Sequence, residues 1–426
     1  MSCEDLGVPL PNPDNFIQRA GQALVTGKYQ NGLPYSIEAL FLYTTCKHMQ
    51  DADGEKHMWV LMGITARLAL RMGYHRDPRA LSKITPFEGE MRRRIFSQVE
   101  VMDLLLSFQA GLPPVIQEDE CDTEAPSNLL DTDFDEDCKT LPSSRPTSDP
   151  TTMLYYCEKS RMARLLRRAV RHALSLKNPS FEETMKIDQD LRNAHLLVPD
   201  SLRMKPLGSA LVDQTFVILH RLNLEILYLR STCVLHRKYL TQERSNPRFK
   251  ISRETCLAAA LQILSHQAEL HFACQPGGQL YNDRWMLTSS LITYDFLLAV
   301  MIICLELYES RDATDVDLHI RIQQYNAVKL AQEIWMSRSS LSREARRAIT
   351  VIASLLSRVK DPSAETARDI TQEQAVTETS KQLGIGANHS PLGALDPASS
   401  SDGFYQGQYL DSVFGESDNI DWVSFC

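Results

Sequence analysis

Apolar residues recur at three- and four-residue spacing along the chain up to about Val359, and strand-like alternation is absent. This periodicity predicts helices over roughly 36–50, 54–73, 86–110, 152–177, 181–197, 209–240, 253–274, 280–309, 316–337 and 341–359. Such an arrangement implies an all-α fold, a multi-helix antiparallel bundle-like array around one or two cores. Several starts carry capping chemistry. Thr85-Pro86-Phe87-Glu88 offers a Thr cap, a Pro at the first helical position and a Glu at the third, and Ser180-Phe181-Glu182-Glu183 repeats the box. Ser252 is expected to open the helix carrying Leu257, Leu261 and Leu264. In the helix after Thr85, Phe87, Met91, Ile95, Met102 and Leu106 are expected to share the apolar face.

Two segments break the periodicity and divide the chain into 1–116, 117–150, 151–360 and 361–426. Residues 117–150 are first acidic, from Glu118 to Asp137, and then rich in Pro, Ser and Thr, which reads as a solvated loop. From Lys360 onward the composition turns to Thr, Ser, Gly and Gln, the signature of a disordered C-terminal tail.

A net charge of −9 argues against bulk electrostatic attachment to nucleic acid. The N-terminus, Met1-Ser2-Cys3-Glu4-Asp5, has no basic-then-apolar signal pattern. In the apolar stretch from Trp285 to Tyr308, Asp295 and Glu306 interrupt the run, leaving Phe296–Leu305 free of charge. A bilayer needs about 20 apolar residues, so a buried core helix is expected and no membrane partner. Zinc clusters need thiolates about two to six residues apart. No two of the ten cysteines lie closer than Cys121 and Cys138. No metal or cofactor is therefore assigned, and cysteines on apolar helical faces, such as Cys256, Cys274 and Cys304, read as reduced thiols.

No catalytic residue emerges. His75-Arg76-Asp77 copies three letters of a kinase catalytic loop, but Pro78 follows and the phosphate loop is missing, so a turn capped by Gly73 explains it better. His266 and His271 stand five apart, about 140° around a helix, and cannot face one ion. Arg161, Arg164, Arg168 and Arg171 share a helix face. A solvated surface opposite Leu165, Leu166 and Val170 is the expected reading, with DNA phosphates or the 117–137 acids as alternative partners. Residues 402–425 interleave Phe404, Tyr405, Tyr409, Leu410, Phe414, Trp422 and Phe425 with acids including Asp418 and Asp421, and hold no Lys or Arg. Acids keep such aromatics from collapsing and available to a coactivator's groove; docking on the chain's own core is the alternative.

Four elements occur in a telling order: the helix ending in Gly73-Tyr74-His75-Arg76-Asp77-Pro78, the helix from Thr85 through Met91-Arg92-Arg93-Arg94, the Gly111-Leu112-Pro113-Pro114 break, and the acidic segment to Asp137. Ser36–Tyr43, Trp59–Gly63 and Val101–Ser107 extend the match over roughly 16–137. This order resembles the middle homology region of fungus-specific transcription factors. The resemblance implies a nuclear regulator, often of metabolic or secondary-metabolite gene clusters, whose helical middle region is regulatory and not catalytic. DNA, coactivators and a homo- or heterodimer partner are implied. The six-cysteine zinc cluster of that family is missing, so DNA binding falls on no residue here, and the sequence looks as if it begins inside the region. Two alternatives stand beside this reading: a DNA-independent interaction protein or truncated regulator that modulates full-length relatives, and an enzyme using an unrecognised helical pocket.

Overall fold

The computed structural model describes residues 13–50, 57–177, 179–210, 213–240, 246–284, 290–311, 317–338 and 342–359, with Pro362. Among them are eleven α-helices and no β-strand. They are α1 (Pro13–Thr26), α2 (Ser36–Gln50), α3 (His57–Arg71), α4 (Pro86–Gln109), α5 (Thr152–Ala173), α6 (Phe181–Leu196), α7 (Thr215–His236), α8 (Lys250–Ala273), α9 (Ser290–Glu309), α10 (Leu318–Arg338) and α11 (Arg343–Leu356). The all-α expectation is borne out. The segment 402–425 lies outside the described residues.

Local chemistry sets the helix ends. Thr85 Oγ1 accepts from the Glu88 amide at 3.1 Å while Glu88 Oε2 accepts from the Thr85 amide at 3.2 Å, a complete capping box. At the end of α3, Gly73 turns left-handed at φ 76°, so that its amide reaches Leu70 O and the Tyr74 amide reaches Ala69 O. Gly111 does the same after α4 at φ 67°, with bonds from Gly111 to Phe108 O and from Leu112 to Ser107 O. Both are Schellman motifs, which only glycine enters without a Cβ penalty.

The differences from sequence expectation are local. Helix α1 was not foreseen; its stripe of Ile17, Ala20 and Leu24 is thin in apolar bulk. The span 209–240 contains α7, flanked by short 3-10 turns at Leu207–Ser209 and Arg237–Tyr239. Helix α8 starts at Lys250, so Ser252 lies inside it and does not cap it. On α4, Met91 is exposed, while Glu90, Arg93 and Ser97 are buried on the opposite stripe.

Two apolar cores share α4. Phe96, Val99, Met102 and Leu106 pack with Ile37, Leu40, Met58, Met62 and Ala66 from α2 and α3. Val101, Leu104 and Leu105 face the larger core formed with α5, α7, α8, α9, α10 and α11. Helix α9 is long and apolar enough to cross a membrane, yet it packs against α7, α8, α10 and α11. Two of its three acids are paired inside: Asp295 takes a bidentate contact from Arg230 of α7, and Glu306 takes one from Arg253 of α8. It is a core helix.

Candidate functional site

The turn after α3 and the acidic segment form one polar junction. Asp77 caps the 3-10 turn at Pro78–Ala80 by accepting from the Arg79 amide at 3.0 Å. Its carboxylate also takes Arg93 Nε at 3.0 Å, Arg93 Nη2 at 2.7 Å and the Glu124 amide at 3.1 Å. Burial pushes the Asp77 carboxyl up, but the Arg93 guanidinium and the Arg79 amide outweigh it and hold the group below the usual carboxylate range. Asp122 accepts from the Asp77 amide at 2.6 Å and from Arg76 Nε at 3.1 Å, and Thr123 Oγ1 donates to Tyr74 O at 2.7 Å. The His-Arg-Asp letters thus form an anchor for the acidic segment.

That segment is docked, contrary to the solvated loop expected. Leu129, Phe134, Thr123 and Asn128 are buried. Arg94 Nη1 reaches Asp131 at 2.6 Å, and its guanidinium lies over the Phe134 ring. Glu90, fully buried, accepts from the Ser127 amide at 3.0 Å and Arg94 Nε at 3.2 Å. Asn128 Nδ2 lies within 3.2 Å of the Arg145, Pro146 and Asp149 carbonyls, while Oδ1 accepts from Thr151 Oγ1 at 2.8 Å. Since Thr151 caps α5 through the Met153 amide, Asn128 fixes where α5 begins. Asn128→Ala is expected to cost about 2–3 kcal/mol, measured as a lower urea midpoint. An unchanged midpoint would show that water replaces these bonds.

The basic helix is α5, and its arginines divide between two neighbours. Arg161 pairs with Glu158 and reaches Ala194 O, and Arg168 pairs with Asp190 at 2.8 Å, both toward α6. Arg164 donates to Thr123 O at 3.3 Å, and Arg171 stands 3.4 Å from Asp119, both on the acidic segment. Each guanidinium therefore has an intramolecular partner. Sequence reasoning missed Arg167, the most buried of the set, which donates to the Ile116 and Glu100 carbonyls beside the Glu100 carboxylate. It stands one turn from Ala163 and from Val170, both buried on the apolar face, so periodicity alone could have flagged it.

Groups with catalytic connectivity occur but are sealed. Ser252 Oγ lies 2.9 Å from His236 Nδ1, and His236 Nε2 lies 3.1 Å from Asp188. Ser252 is 0% exposed and His236 1%, so no substrate carbonyl can reach this relay; it ties α6, α7 and α8 together. A cavity of about 170 Å³ between α4, α5 and the acidic segment is lined by Glu100, Cys121 and Arg164 among others. Burial pushes the Cys121 thiol up to about 11, leaving it protonated near neutral pH and a poor nucleophile. His266 is buried and His271 turns to Gln275 at 3.1 Å, so the two rings point apart. Among the described residues no group of three or more His, Cys, Asp or Glu is disposed to hold a metal. A zinc cluster does not fit their cysteines.

A helical scaffold whose charged groups are spent on holding its own parts together is the class these features define. Residues 28–198 match the family model of the fungal specific transcription factor domain. Within those residues the chain carries the fungal specific transcription factor domain. It is 39% identical over 82% of its length to the Zn(2)-C6 fungal-type transcription factor pigI of Monascus ruber, covering 44% of that protein. It is 37% identical over 83% of its length to the equisetin cluster transcription factor eqxF of Fusarium heterosporum, covering 51% of it. With the fusarisetin A cluster transcription factor of Fusarium sp. (strain FN080326) the identity is 33% over 97% of this chain and 53% of the relative. The chain spans about half the length of the curated relatives it matches. No solved structure matches it.

Proposed function

We propose that this chain is a fungal transcriptional regulator of a secondary-metabolite gene cluster, acting in the nucleus. Its α-helical core is the regulatory scaffold, and residues 402–425 recruit coactivators. The observation that carries this reading is similarity along most of the chain to regulators named for such clusters. Supporting it, charged residues of the matched domain pair with one another, as Arg93 does with Asp77 and Arg168 with Asp190, and the cavity beside Cys121 holds no activated nucleophile. The role is regulatory and not enzymatic, and it calls for no cofactor in this chain. No residue of this sequence is assigned to DNA contact, because its cysteines are not set closely enough for a zinc cluster.

The test fuses residues 361–426 to a heterologous DNA-binding domain in a fungal reporter strain. Activation that falls about tenfold on Phe414→Ala with Trp422→Ala is expected. A silent fusion removes the activating role and leaves the interaction-protein reading.

A further inference from the structure

Among the described residues, an open apolar surface lies between α1 and α2. A groove of about 600 Å³ there is lined by fifteen residues, none of them charged. Phe16 is 57% exposed, Tyr35 75% and Leu42 61%, all on this groove. Large apolar side chains this open and this close together mark a surface that is covered in use. The backbone supports the same view. Lys28 and Tyr35 bracket the α1–α2 connection at φ 51° and 64°, and among the described residues they are the non-glycine positions with positive φ. Such strain in a bulky aromatic persists where its placement serves a contact.

We propose that this groove binds residues 402–425 of the same chain. The lining calls for an apolar guest, and the segment supplies Phe404, Tyr405, Tyr409, Leu410, Phe414, Trp422 and Phe425. The rim calls for acids: Lys28 is exposed beside Gly27, and Arg19 lies on the exposed edge of α1 between Phe16 and Ala23. The segment carries Asp402, Asp411, Glu416, Asp418 and Asp421 with no Lys or Arg. The two acids of α1 and α2 stand away from this rim. Asp14 lines the cleft on the other side of α1, and Glu38 acts on Tyr74. Reach is not limiting. Roughly forty residues separate Val359 from Asp402, about 130 Å when extended, against a folded body about 50 Å across.

The test replaces Tyr35 in the full chain with p-benzoylphenylalanine and irradiates it. It needs no transcription readout, so its failure is distinct from failure of the activating role. The expected product is an intrachain crosslink from position 35 into 402–425, with a yield independent of protein concentration. Phe414→Ala with Trp422→Ala is expected to lower the yield about tenfold, and Arg19→Glu with Lys28→Glu about threefold at low salt. Arg19 and Lys28 are exposed, and folding of each variant is checked by an unchanged melting temperature. Crosslinks that join two chains and grow with concentration would overturn the proposal in favour of a second copy. Absence of any tail crosslink, or yields indifferent to both variants, would overturn it outright.

Discussion

Asp77→Ala is expected to destabilise the protein by about 3–5 kcal/mol, the cost of leaving a buried guanidinium without its partner. Arg93 is 8% exposed and its side chain meets Asp77 through two bonds, so removing the carboxylate strands a largely buried charge. The same substitution removes the cap of the Pro78 turn and the acceptor for the Glu124 amide. Loss of the acidic segment's docking should therefore accompany loss of stability, seen as faster proteolysis within 117–150. A cost below about 1 kcal/mol would show that Arg93 finds another acceptor. The pH dependence has a definite sign. Asp77 is held below its ordinary value of 3.8, so its contribution is complete above that value and disappears as pH falls through the lower folded one. The wild type should lose stability in that acidic window more steeply than Asp77→Ala does.

The Arg230–Asp295 pair leads to a different expectation. Both side chains are buried between α7 and α9, and burial pushes the Asp295 carboxyl up despite the adjacent guanidinium. Desolvation therefore exceeds what the pair returns. Asp295→Leu alone should cost about 3–5 kcal/mol, because Arg230 stays charged and buried. Arg230→Met with Asp295→Leu should recover that loss and lie within about 1 kcal/mol of wild type, or above it. Urea denaturation of both variants decides the matter, and a double variant as unstable as the single one would mean that the pair holds α9 in register.

Much of the fold is legible in the sequence because its signals are local. The capping box at Thr85, the glycines at 73 and 111 and the apolar run of α9 each act within one or two turns. Burial on α4 is not local. Its first turns point Glu90, Arg93 and Ser97 inward because a polar segment some thirty residues onward docks there, while Met91, the apolar choice, faces solvent. The acids at 118–137 were visible as charge, but periodicity says nothing of which arginine meets which acid at separations of 37 to 52 positions. The grouping on α5 was visible too; its division between α6 and the acidic segment was not, since four residues on one stripe can serve the elements on either side. The same limit applies to Ser252, which has the composition of a cap but is drawn inward by His236.

The junction at Asp77 also sets an order of events during synthesis. Arg93 leaves the ribosome soon after Asp77, but the Asp122–Glu124 strap follows only after roughly thirty residues of further elongation, on the order of 2–6 s. Until it arrives, the inward polar stripe of α4 has no cover, and the Asn128 bonds that seat the start of α5 cannot form. The first three helices of the matched domain thus wait, half-assembled, for a stretch of chain that contains no α-helix of its own.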